Sequence, residues 1–109
     1  MNELFTKGTI LKMDELIDYS KGGVISKQVL KNTAGNITLF SFDEGQGLTE
    51  HTAPFDAMVQ VLEGEVEIRI GGNPNLLKQG ESIIMPANVP HALQAVKAFK
   101  MLLTMIKGA

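Results

Sequence analysis

Apolar and polar positions alternate most strictly near the middle of the chain, where Val66, Ile68 and Ile70 interleave with Glu65, Glu67 and Arg69. A period of two puts the branched side chains on one face and the charges on the other, which is the pattern of a half-buried strand. Just upstream, Met58 to Leu62 is an apolar run interrupted by Gln60, a residue expected at an exposed or subunit-facing position. Glu63-Gly64 between the two runs predicts a tight hairpin turn, because glycine reaches backbone angles that a side chain forbids.

The same extended pattern continues on both sides. SKQVL from Ser26 and ITLFSFD from Ile37, separated by the turn NTAGN, predict another hairpin rich in β-branched and aromatic residues. Further on, GGNPN reads as a loop, LLKQGES as a short connection, and IIMPANVPHALQA as strand, turn and strand. The last apolar stretch, AFKMLLTMIKG, fits a buried strand or a helix by periodicity. A strand is favoured because the rest of the chain is β with closely spaced turn signals. Residues 1–25 form a lead-in, in which Asp14 is suited to cap one or two helical turns that the Gly22-Gly23 pair stops.

Composition narrows the class. At 109 residues and 44% hydrophobic, the chain fits a single domain spanning 1–109, small enough that pairing with a second copy would help its core. Ten Lys+Arg against twelve Asp+Glu leave no basic surplus to neutralise phosphates, so nucleic acid is excluded as the expected partner. The absence of cysteine removes disulfides, thiolate ligands and thiol nucleophiles together and suits a reducing cytoplasm. MNELFTKGTILKMDEL carries acidic residues and no long apolar stretch, so neither a secretory signal nor a membrane partner is expected. There is no Walker-type glycine loop and no serine in a nucleophile elbow.

The chemistry-bearing candidates are two histidines, His51 and His91, forty positions apart and each beside an apolar run. Each has a plain structural alternative, since a histidine near a turn can simply bond a backbone carbonyl. Glu44 and Glu50 lie close to them in sequence and are candidate acids or bases on that ground alone. Glu65, Glu67 and Arg69 read as a solvated outer face, and the six methionines as core filling.

At these residues the chain resembles the cupins, small jelly-roll barrels of RmlC-like type. The first cupin motif runs Gly, five residues, His, one residue, His, three or four residues, Glu, six residues, Gly. Gly45, His51 and Gly64 fall on that spacing, with Ala53 at the second histidine and Ala57 at the glutamate. The second motif runs Gly, five residues, Pro, one residue, Gly, two residues, His, three residues, Asn. Gly80, Pro86 and His91 match it, while Asn88 replaces the glycine and Ala95 the asparagine. The motifs and the strands around them span 37–106. The resemblance implies an all-β fold: a cupin-type double-stranded β-helix, or jelly-roll barrel, with a short N-terminal helical turn.

It also implies that His51 and His91 converge on one site as ligands of a divalent metal such as Zn, Ni, Mn or Fe, with Ala53 and Ala57 lining the pocket. Loss of the carboxylate removes the anionic ligand of the iron facial triad, which makes an oxygenase less expected than the fold alone suggests. The function it implies is a small-molecule-binding cupin. The alternatives are a metal-dependent or metal-free cupin enzyme of isomerase, epimerase or oxygenase type, with catalytic residues unassigned, or a ligand-sensing module. A homodimer is expected from the habits of small cupins. The two alanines fit either a decayed site or one widened for an apolar ligand.

Overall fold

The computed structural model describes residues 4–107, in which a single 3₁₀ turn, Met13–Glu15, precedes nine strands. These are β1 (Val24–Asn32), β2 (Gly35–Phe42), β3 (Gly47–His51), β4 (Asp56–Glu63), β5 (Glu65–Ile70), β6 (Asn73–Lys78), β7 (Ser82–Met85), β8 (His91–Ala95) and β9 (Phe99–Ile106). A five-stranded sheet in the order β1-β2-β9-β4-β7 faces a four-stranded sheet in the order β3-β8-β5-β6, and every pairing is antiparallel. The alternation seen in sequence decides what lies between them. Ala57, Val59 and Val61 of β4 and Val66 and Ile68 of β5 are buried, whereas Gln60 is half-buried on the outer side, opposite Leu102 and Ser82. The final apolar stretch is a strand, β9, and it pairs with β2 along eight positions.

The turn at Glu63-Gly64 is not a hairpin. β4 pairs with β7 and β9, while β5 pairs with β6 and β8, so the chain changes sheets at this corner. Gly64 has φ 84°, and a Cβ there would meet the Ala98 carbonyl and lie 2.6 Å from the Phe99 Cα. The glycine is therefore required by its backbone angle and by the close passage of the chain entering β9. The tight hairpin lies one strand later, at Gly71-Gly72, where both residues have positive φ and Ile70 faces Asn73. The stretch expected as a loop and connection is consequently a strand, β6. Pro74 is tolerated in it because β6 is the edge of its sheet, where one row of amides needs no partner.

The lead-in lies across the outer side of the five-stranded sheet. Asp14 does not cap the helical turn: the N-cap is Lys12, which makes no side-chain capping bond. Instead the Asp14 carbonyl accepts a bond from Lys100 Nζ at 2.6 Å, and the Leu16 carbonyl accepts one from Lys27 Nζ at 3.0 Å. Ser41 donates to the Asp18 carbonyl at 2.7 Å, and Tyr19 donates to Glu63 at 2.6 Å. Lys100, only 9% exposed, also lies 3.6 Å from Glu63, so its nearly buried charge is partnered. Burial, followed by the bond to the Glu63 carboxylate, raises the Tyr19 pKa well above its ordinary value. Ile17, 1% exposed, is the apolar anchor of this strap.

Candidate functional site

His51 ends β3 and His91 begins β8, and the two residues are paired directly across those strands. That pairing depends on a bulge. Leu48 faces Leu93, but the register then shifts, so that three steps along β3 match two along β8 before His51 meets His91. Without the extra residue, alternation from Leu48 would turn Glu50 toward the interior and His51 away. A bulge of this kind re-aims a side chain while the sheet continues.

The opposite wall is fixed by the turn between β7 and β8. Asn88 has φ 63°, the one positive value among the described non-glycine residues, and asparagine tolerates that conformation better than most. Its amide donates to the Ala53 carbonyl at 2.8 Å, and the Ala87 amide donates to Asp56 Oδ1 at 2.9 Å. These bonds hold the segment leading to His91 against the segment between β3 and β4.

The result is a cavity of about 50 Å³ whose wall includes His51, Ala53, Ala57 and His91 together with Met85, Met101 and Met105. His91 is 5% exposed and His51 is exposed, so the pair runs from the interior to the surface. Ala57 sits between Met85 on β7 and Met105 on β9 in the sheet register. Glu44 and Glu50 are exposed and stand off the cavity wall, and among the described residues there is no group of three His, Cys, Asp or Glu side chains able to hold an ion. Arg69 Nε donates to Glu67 at 2.8 Å, and neither residue touches the cavity.

The hydrogen bonds of the two rings determine their chemistry. His51 Nδ1 lies 2.7 Å from the Thr49 carbonyl, and His91 Nδ1 lies 3.2 Å from the Val89 carbonyl. A carbonyl only accepts, so each Nδ1 carries the hydrogen and each neutral ring presents a bare lone pair at Nε2. The two Nε2 atoms are 3.2 Å apart, with the rings edge-on at 70°. Two lone pairs at that distance repel unless a cation lies between or beside them. A proton serves either by charging one ring or, where His91 gives up its longer 3.2 Å bond to Val89, as a neutral Nε2–H···Nε2 hydrogen bond. Burial, opposed by the Val89 bond and reinforced by neighbouring His51, holds the His91 pKa below the ordinary 6.5. A metal would serve without charging either ring, since two nitrogens bound to one tetrahedral ion at about 2.0–2.1 Å stand about 3.3 Å apart.

The bulge and the methionine wall were both missed from sequence. A run such as LTEH gives no sign of the extra residue, and periodicity places Met85, Met101 and Met105 on a face without saying what they face.

Nine antiparallel strands in two facing sheets, with a histidine pair between β3 and β8, define a jelly-roll barrel. The cupin domain matches residues 38–107, and the chain belongs to the cupin family. A protein of unknown function from Streptococcus pyogenes is 34% identical, with a TM-score of 0.92, and the match covers 98% of this chain and 94% of that one. A cupin 2 barrel domain protein from Leptotrichia buccalis is 39% identical with a TM-score of 0.86. That match covers 89% of this chain but 47% of the other, so the chain spans about half of that protein. A cupin superfamily protein from Desulfitobacterium hafniense is 25% identical with a TM-score of 0.89, and the match covers 95% of each chain. A search of curated proteins found no match. Among the described residues no helix is long and apolar enough to cross a membrane.

Proposed function

We propose that this cupin is a small binding protein that holds one metal ion at the mouth of its barrel, between Nε2 of His51 and Nε2 of His91. The observation that carries the reading is the 3.2 Å approach of two lone-pair-bearing nitrogens whose other ring nitrogens are both tied to backbone carbonyls. That arrangement of outer hydrogen bonds fixes the tautomer and ring orientation a metal-binding histidine needs. A bound ion would polarise an oxygen or nitrogen of a small ligand entering beside it. The protein's contribution is to orient the imidazoles and to exclude bulk water with an apolar wall. The cavity, at about 50 Å³, takes an ion with a water or a few-atom ligand rather than a molecule of ordinary metabolite size. A catalytic acid or base on the cavity wall is not part of the reading, because the wall has no carboxylate among the described residues.

Metal analysis of the purified chain after exposure to zinc, nickel, manganese, iron or copper tests this directly. The expected result is one ion per chain, lost in His51→Ala and in His91→Ala. A wild-type chain that takes up none of these ions overturns the reading, as does loading unchanged by both substitutions.

A further inference from the structure

We propose that the ion this site selects is Cu(I), ligated by His51 and His91 together with thioether sulfur from Met85 and Met105. The inference rests on the histidine-pair reading above and adds the identity of the metal and the remaining ligands. Three features of the cavity lead to it.

The first is the donor set. The residues of the wall bring two imidazoles and the thioethers of Met85, Met101 and Met105, with no carboxylate, side-chain amide or hydroxyl. Thioethers are soft donors that select Cu(I), whereas magnesium, calcium and manganese prefer carboxylate, carbonyl and water oxygen. Met85 and Met105 flank Ala57 on the neighbouring strands, and the short Ala53 and Ala57 side chains leave the space into which a thioether can turn. Methionine, unbranched and with three rotatable bonds, adapts to such a gap.

The second is hydration. Apart from the two imidazoles, the wall of this cavity of about 50 Å³ has no polar side chain to partner the several waters that a hard cation retains. Cu(I) is satisfied by few ligands and needs none of them to be water.

The third is charge. The desolvation cost of an ion grows as the square of its charge, and this apolar wall supplies no anion to offset it. A monovalent ion is favoured over any divalent one on that ground.

The test is an anaerobic competition between the whole chain and the Cu(I) chelator bathocuproine disulfonate, with Zn²⁺ binding measured in parallel. The wild-type chain is expected to withdraw one equivalent of Cu(I), and its copper X-ray absorption spectrum to show sulfur as well as nitrogen scatterers. In Met85→Leu/Met105→Leu, which nearly conserves core volume, Cu(I) affinity is expected to fall at least tenfold while Zn²⁺ affinity holds. A double variant that competes as well as wild type overturns the proposal, and so does a wild-type spectrum with nitrogen neighbours alone. The spectrum needs only the wild-type chain, so a poorly folding variant leaves the question decidable. If Zn²⁺ binds through the histidines and Cu(I) does not, the thioether ligation fails while the histidine pair stands. If His51→Ala retains both metals at wild-type affinity, both fail.

Discussion

Strand β9 carries two different interiors at its two ends. At its start, Phe99 stacks on Phe42 with ring centroids 4.6 Å apart and planes within 6°, and both residues are fully buried. Phe40 extends the stack at 5.7 Å from Phe42. At its other end Met105 lies beside Ala57, and the space between the sheets contains a cavity and a histidine pair. The same pair of sheets is solid where aromatic rings meet and hollow where alanines do. Side-chain volume alone divides a structural end from a candidate binding end, with the backbone pleat continuous through both.

The solid end should answer most strongly to truncation. Phe99→Ala removes a ring from a stack that cannot collapse around the gap, and a loss of about 3–5 kcal/mol is expected. Denaturant unfolding of the variant measures it. A loss under about 1 kcal/mol would mean that this end is no better packed than the other.

The hollow end should behave in the opposite way. Ala57→Val adds two methyl groups where there is already space, so the stability change should stay below about 1.5 kcal/mol. Metal uptake should be lost, because the added methyls occupy the volume that the ion and the flanking thioethers require. Thermal unfolding and metal analysis of one preparation give both numbers. A variant that unfolds as readily as Phe99→Ala, or that still loads metal, would erase the distinction between the ends.

Much of this contrast is legible in the chain, and the limits are physical. Val66, Ile68 and Ile70 give their strand by alternation, and the paired motif spacings bring His51 and His91 into one frame, where the structure pairs them 3.2 Å apart. Local pattern fails wherever the answer depends on a distant strand. Glu63-Gly64 marks a reversal, but only the positions of β7, β8 and β9 decide that it is a change of sheet rather than a hairpin. Asn73 to Lys78 reads as loop because proline and asparagine disfavour strands, and their tolerance at a sheet edge is a property of the whole topology. Asp14 looks like a cap, yet its carbonyl is taken by Lys100, eighty-six positions away. The bulge that turns His51 inward is one residue of register, set by β8 rather than by β3 itself.

The smallest effect concerns how the solid end is fastened on the outside. Asp43 follows Phe42, and its carboxylate accepts the Gly22 amide at 2.6 Å and the Glu44 amide at 2.9 Å, clasping the strap to the end of β2. The bond from Gly22 first, and then that from Glu44, lowers its pKa from the ordinary 3.8. A carboxyl whose pKa is lower in the folded state contributes stability above the unfolded value and loses it as pH falls through the folded one. Asp43→Ala should therefore melt below wild type at neutral pH, with the gap closing as the pH drops below 3.8. Screening of this half-buried carboxylate by solvent keeps the gap the smallest of the three. Melting curves for both chains from neutral to acid pH decide it. A gap that persists unchanged in acid would mean that the Asp43 side chain acts through packing and hydrogen bonds that survive protonation, with the charge contributing nothing.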